Sequence, residues 1–69
     1  MADFRVWGRI EQVAPNEFFV VVSTMRANDP GKPDVITRTA TSRAEAENVR
    51  DDLISEVSAA VQARGDRVM

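Results

Sequence analysis

The second strand of this chain is apolar on both of its faces, and this feature constrains the fold more than any other. From Glu17 to Met25 the sequence reads Glu-Phe-Phe-Val-Val-Val-Ser-Thr-Met, and polar residues alternate with apolar ones only from Ser23 onward. A strand with one face in water alternates along its length. The 69 residues contain a single predicted helix, which can cover one face. We therefore expect the other face, with Phe19 and Val21, to meet something outside this chain.

The length and composition predict one small domain, residues 1–69, without covalent or metal cross-links. A core this small is marginally stable unless a disulfide, a metal or a partner chain adds to it. The chain contains no Cys and no His, so disulfides are excluded and zinc or haem sites are not expected. We expect no metal and no cofactor, which leaves self-association as the common source of added stability.

The charge and the apolar runs indicate where the protein resides. The net charge of −2 gives no reason to expect a general attraction to nucleic acid or to an anionic membrane. The longest uncharged apolar run, Phe18 to Val22, is too short for a secretory signal or a membrane segment. Together with the absence of Cys, this predicts a cytoplasmic protein with no membrane partner.

The first strand is predicted to pair with the second in a hairpin. It spans about 4–13, its even positions are apolar or small, and a compact turn centred on Pro15 follows it. Centring the hairpin on Pro15 places Ile10 opposite Val20 and collects the apolar side chains on one face. A slip of one residue would invert both faces, so this register is the one we expect.

The third strand is predicted from Val35 to Thr41, and its register stays open between two choices. The segment 26–34, with its prolines and glycine, is predicted to be a mobile loop. One register turns Ile36 and Ala40 toward the core and takes Arg38 with them. The other turns the odd-numbered residues inward and places Arg38 on the open face, and on an edge strand Arg38 can reach solvent from either position.

A helix is predicted from Ser42 to Arg64. Ser42 to Glu45 has the form of a capping box, in which the serine and the glutamate each satisfy a free amide, and Gly65 is a stop signal. The apolar helical residues fall in one stripe suited to lying on a sheet: Ala46, Val49, Leu53, Ile54, Val57, Ala60 and Val61. Residues 65–69 are expected to fray. The predicted fold class is therefore α+β, with a three-stranded antiparallel meander over residues 3–41, the order β-β-β-α and this amphipathic helix on one sheet face.

Few side chains of this chain can perform catalysis. Without His, Cys or Tyr, the available acids and bases are carboxylates and the single Lys32. Asp51, Asp52 and Glu56 form the best cluster and could hold a hard cation, but a solvated helix face explains them better. Ser42 has no base to activate it. We predict no catalytic residue and a protein that is not an enzyme.

The helix-free face of the sheet is the candidate binding surface, since Arg5, Trp7 and Arg9 alternate along the first strand. The predicted partner-binding residues are Arg5, Trp7, Arg9, Phe19, Val21 and Met25. Aromatic, Met and Arg side chains are typical of protein interfaces, and a second copy would supply the core that a short chain lacks. We expect a small interaction module that forms a homodimer or binds another protein.

The same residues allow an alternative function. An aromatic ring between arginines on an exposed sheet can stack unpaired bases and hold phosphates, which suggests single-stranded RNA binding through Arg5, Trp7 and Arg9. Arginine stems packed against Trp7 explain the pattern equally well. Glu11 and the net acidity oppose phosphate binding. Nucleic acid is therefore the second choice of partner.

The predicted element order resembles two known domains. With Thr41-Ser42-Arg43-Ala44-Glu45-Ala46 leading into an Ala-rich helix, it looks like the HicB-type antitoxin domain, although that domain's glycine- and proline-containing motif after the second strand is absent. It is also similar to the double-stranded-RNA-binding domain without its first helix, with Arg43, Glu45 and Glu47 in place of a lysine-rich helix start. Element order does not transfer function, so neither resemblance implies a site residue.

Overall fold

The computed structural model describes residues 2–29 and 31–69, which form a sheet with one helix packed on it. In chain order the elements are β1 (Asp3–Ala14), β2 (Glu17–Arg26), β3 (Asp34–Ala40), α1 (Arg43–Ala63) and β4 (Arg67–Val68). The sheet order is β3-β2-β1-β4, with the first three strands antiparallel and β4 parallel to β1. The predicted α+β meander with a packed helix is confirmed, and a short fourth strand is added to it.

The β1–β2 hairpin has the predicted register, with Ile10 paired to Val20. Its turn is shorter than expected, because Ala14 still belongs to β1 and only Pro15 and Asn16 lie between the strands. The preferred two-residue hairpin turns need a positive φ at their first position, which the proline ring forbids. A shift of register between Gln12 and Ala14 accommodates the turn, as a β-bulge does.

The structure selects the first of the two registers for β3. Ile36 pairs with Val22 and Ala40 pairs with Phe18, so both residues face the helix. Arg38 shares this face but stays exposed, because β3 is an edge strand, and its Nη1 donates a hydrogen bond to the Thr37 carbonyl at 3.0 Å. The loop before β3 includes Pro30, which lies outside the described residues, and the mobility of this loop stays a prediction.

The helix α1 covers the face of the sheet that carries the even-numbered residues. The buried core comprises Phe18, Val20, Val22, Ala40, Ala46 and Leu53. Val20 and Val22 are completely inaccessible to solvent at 0% exposure, as expected for the middle of a central strand under a helix. The predicted apolar stripe of α1 is correct except at Ala60, which is exposed beside an open recess that it lines with Ile36 and Val57.

Gly8 allows α1 to approach β1 closely. A Cβ atom at this position would lie 2.7 Å from Cγ of Arg50 and 3.2 Å from Cδ1 of Ile54. The space that a side chain would occupy is thus filled by the helix. The glycine in the middle of a strand therefore has a packing reason.

Both ends of α1 are capped by the chain itself. The Ser42 hydroxyl accepts a hydrogen bond from the Glu45 amide at 3.2 Å, as predicted. The Glu45 carboxylate differs from the predicted capping box, because it accepts from the Thr41 hydroxyl at 3.1 Å. At the other end Gly65, with φ of +89°, takes the left-handed conformation that ends many helices. The amide of Asp66 then donates to the Val61 carbonyl at 3.3 Å, which completes a Schellman motif.

The last residues form β4, which corrects the expectation of a frayed tail at 65–69. The Gly65 turn brings the chain back to the edge of β1, where the Arg67 amide donates to the Ala2 carbonyl at 2.9 Å and the Met69 amide to the Phe4 carbonyl at 2.8 Å. An edge strand offers such unpaired backbone groups.

Candidate interaction surface

The structure places all the predicted binding residues on one sheet face, opposite α1. We define the open face as the odd-numbered residues of β1 from Arg5 to Glu11, of β2 from Glu17 to Met25 and of β3 from Val35 to Thr39, together with Met69 after β4. Facing residues of this surface pair across the strands, Arg5 with Met25 and Arg9 with Val21 on β1 and β2.

The middle of the open face is uneven. One row across the strands consists of Trp7, Ser23 and Val35. Trp7 is 42% exposed and Val35 is 53% exposed, whereas Ser23 between them is 8% exposed. No helix covers this face, so its bulky neighbours account for the burial of the serine. In this row, the exposed apolar side chains of Trp7 and Val35 therefore lie on either side of the small, buried Ser23.

An apolar recess lies at the end of the open face away from the hairpin turn. It is an open concavity of about 480 Å³ lined by Arg5, Trp7, Met25 and Met69, with Val6 at its edge. Met69 is 70% exposed and reaches this site because β4 pairs with β1. Met69 is absent from the binding residues predicted from the sequence, and the Gly65 stop was the available signal that the chain turns back.

Two ion pairs mark the charged border of the sheet. Arg9 Nη2 lies 3.7 Å from Glu11 Oε1, and both side chains are more than half exposed, so the pair adds little stability. At the β4 corner, Arg67 donates to both carboxylate oxygens of Asp3, at 3.0 and 3.3 Å. These hydrogen bonds lower the pKa of the Asp3 carboxyl below its ordinary value, and the same contact raises the pKa of the Arg67 guanidinium.

Charge is distributed unequally along the open face. Arg5 stands at the end that contains the recess, and no ion pair of the described residues includes it. Glu11 and Glu17 stand at the end near the hairpin turn, and both are exposed. Arg9 lies between and contacts Glu11. At the recess end Asp3 is neutralised by Arg67, so the face is basic at this end and acidic at the other.

The other candidates from the sequence do not gather into a site. Asp51 accepts a hydrogen bond from the neighbouring Arg50 at 3.2 Å on the exposed side of α1. Across residues 2–29 and 31–69, no three acidic side chains lie close enough to hold a metal ion. Ser42 serves as the helix cap. Within the same residues, no helix combines the length and the apolar character needed to cross a membrane.

Comparison of the chain with protein-family models, with curated proteins and with solved structures finds no match. The case for a function therefore depends on the open face itself.

Proposed function

We propose that this protein is a non-enzymatic interaction module whose open face is covered by a second copy of the same chain. The observation that carries the proposal is the central strand β2. Its odd-numbered residues Phe19, Val21 and Met25 lie only half-buried on a face without a helix, beside Trp7 at 42% exposure. Apolar groups in such a cluster are stabilised when they leave water.

The dimensions of the molecule support a partner of this kind. The Cα atoms extend over 42 × 23 × 13 Å, a slab of one sheet and one helix. Three strands about 4.8 Å apart and about ten residues long cover on the order of 500 Å² as a flat surface. The relief of the side chains adds to this flat area, and stable interfaces of ordinary size bury about 600–1,000 Å² per partner. A second sheet would turn the two-layer molecule into a four-layer dimer with an added core.

The side chains of the open face also have the composition of an interface. Trp7, Met25 and Met69 surround its recess, and Arg5 borders it. Trp, Met and Arg are enriched at protein interfaces, and Trp and Arg supply many of the residues that dominate binding energy. The acidic groups lie toward one end, as in a polar rim.

Single-stranded RNA is the competing occupant, because exposed Trp7 stands between exposed Arg5 and Arg9. The charges argue against it. Arg9 already has Glu11 at 3.7 Å, and Glu17 adds a second exposed carboxylate to the same face. Carboxylates beside a phosphate path repel it, whereas a protein surface can use both signs.

The single tryptophan makes the test direct, since Trp7 is the only one in the chain. We expect its emission to be blue-shifted at high protein concentration and to move to longer wavelength on dilution, as the indole returns to water. Addition of a ten-nucleotide oligouridine should leave the emission unchanged. Saturable quenching by the oligonucleotide at a monomeric mass would replace the proposal with RNA binding.

A matched pair of variants tests whether the open face is the surface through which the copies associate. Val35→Asp introduces a charge on the open face at an edge strand, and Ala59→Asp introduces the same charge on the exposed side of α1. We expect Val35→Asp to weaken association at least tenfold and Ala59→Asp to leave it unchanged. Equal effects of the two substitutions would place the interface elsewhere.

A further inference from the structure

The open face has a polarity along its strands that restricts how two copies can meet. Arg5 and Glu11 lie on the same face of β1, six positions apart, which is about 20 Å along a strand. Glu17 on β2 adds a second carboxylate at the Glu11 end. Arg5 and Glu11 are therefore too far apart to form an ion pair within one chain. Arg5 has no ion pair among the described residues, and the Arg9–Glu11 pair is exposed and weak, so both Arg5 and Glu11 can contact a charge of the opposite sign on another molecule.

Two sheets that pack face to face through the same surface are related by a two-fold axis lying between them. If the axis runs along the strands, each end of the face meets the same end of the partner. The strand order is then reversed across the interface, so that β1 lies toward the partner's β3. The end that contains Arg5 meets the partner's Arg5 end, and the two carboxylate ends meet as well. If the axis runs across the strands, the ends are exchanged. Arg5 of each copy then faces the partner's Glu11.

We infer, on the basis of the proposed function, that the dimer axis crosses the strands and that Arg5 pairs with the partner's Glu11. An axis across the strands gives two such pairs by symmetry. An axis along the strands brings like-charged ends together at both ends of the face. Opposite charges across an interface fix its register, and juxtaposed like charges oppose it. The charge distribution of the open face therefore selects one of the two arrangements.

The same axis gives suitable neighbours to the apolar residues. It crosses β1 midway between positions 5 and 11, at Gly8, so that Trp7 faces the partner's Arg9 and a cation–π contact can form. Gly8 pairs with Val22 on β2, so the axis crosses that strand at Val22. Val21 then faces the partner's Ser23, and a larger residue meets a small one near the centre.

The usual crossing angle of packed sheets is compatible with the charge pairs. Sheets pack at about 30° to each other. Arg5 and Glu11 each lie about 10 Å from the axis, where such a crossing displaces one strand from the other by about 5 Å. The long side chains of arginine and glutamate can bridge this displacement. Residues nearer the axis are displaced less.

Charge reversal tests the arrangement with two single variants, their equal mixture and the double variant, each compared with the wild type. Arg5→Glu and Glu11→Arg should each weaken homodimer formation about tenfold, because each creates two like-charge contacts. An equal mixture of the two variants should form a heterodimer with an affinity near that of the wild type, since both of its contacts are then opposite in sign. The double variant should also regain association. Sedimentation gives the affinities, and native mass spectrometry identifies the heterodimer.

The controls and outcomes separate this inference from the proposed function. Arg38→Glu, on the helix side of the edge strand β3, and Glu56→Arg, on α1, make the same charge changes at exposed positions away from the open face, and should leave association unchanged. A wild-type chain that stays monomeric contradicts the proposed function. A wild-type dimer whose affinity is unchanged in both single variants contradicts only the orientation, because contacts between like ends stay like-charged when the charge is reversed. So does a mixture that associates no better than its components.

A second measurement does not depend on charge. The chain has no native cysteine, so Arg5→Cys and Glu11→Cys each introduce a single thiol. A short bis-maleimide should cross-link an equal mixture of the two variants and leave each variant alone uncoupled. Cross-linking within either variant alone, at higher yield than the mixture, would show that like ends meet.

Discussion

The two faces of the central strand β2 have nearly the same apolar residues and very different surroundings. Phe18 and Val20, on the helix side, are 4% and 0% exposed. Phe19 and Val21, one position further along, are only half-buried on the open face. One face completes its core within the chain, through α1. The comparison shows that apolar content alone does not determine how deeply a strand face is buried, and that the number of covering layers does.

The largest expected effect comes from truncating the two neighbouring phenylalanines. Phe18→Ala should lower the free energy of unfolding by about 3–5 kcal/mol, because it leaves a cavity under α1. Phe19→Ala should cost much less in protein dilute enough to be monomeric, since its ring already contacts water. Urea denaturation of both variants measures the difference. Equal losses would mean that the open face is as complete a core as the helix side.

The second prediction concerns the affinity of the dimer rather than the stability of the monomer. Trp7→Ala should weaken the dimer by about 2 kcal/mol or more, as expected for a central aromatic residue, with little change in the unfolding of the monomer. Sedimentation equilibrium measures the association, and circular dichroism monitors the fold. An unchanged dissociation constant would remove Trp7 from the interface.

The third prediction concerns the close packing of α1 against β1 at Gly8. Gly8→Ala places a Cβ at 2.7 Å from Arg50 Cγ, and should destabilise the protein by about 1–3 kcal/mol through overpacking. Arg50→Ala in the same chain should restore part of this loss, because it removes the atom that the new methyl meets. A double-mutant cycle in urea gives the coupling, and additive losses would contradict the proposed contact.

The smallest expected effect concerns pH and the corner where β4 joins the sheet. Hydrogen bonds from Arg67 lower the pKa of Asp3, so the folded state binds the proton less readily than the unfolded state does. The resulting stability is present above the ordinary aspartate pKa of about 3.9, and it is lost as pH falls through the lowered folded-state value.

The matching variant is Asp3→Asn, which removes the charge and keeps the shape. It should be slightly less stable than the wild type at neutral pH and equally stable in acid, and the difference is small because the pair is exposed. Urea midpoints at several pH values measure it. A difference that persists at the lowest pH would show that charge is not its source.

The sequence predicts much of this fold because local patterns determine it. The period of two along β1 and the proline turn together specify the hairpin register, and the Ser42 cap and Gly65 stop specify the helix within one residue. The register of β3 was not predictable, since both of its faces carry β-branched residues. Its choice depends on Ala40 fitting against Phe18, a tertiary contact.

In the candidate site, too, local patterns predict some residues, whereas tertiary contacts determine the others. Alternation along β1 and β2 places the predicted binding residues on one face, which their spacing alone could predict. Met69 was missed because its position depends on β4, a two-residue parallel pairing between distant parts of the chain. The Gly65 stop indicates that the chain turns back, but no local pattern marks the strand edge with which so short a segment pairs. The polarity from Arg5 to Glu11 was also present in the sequence, but it has meaning only once both residues are known to share a face that a partner can cover.

The solution mass of the wild-type chain decides whether a second copy covers the open face. Light scattering across a wide concentration range should give twice the monomer mass of 7.7 kDa at high concentration, with a return to the monomer only on strong dilution. A mass of 7.7 kDa at every concentration would contradict the claim.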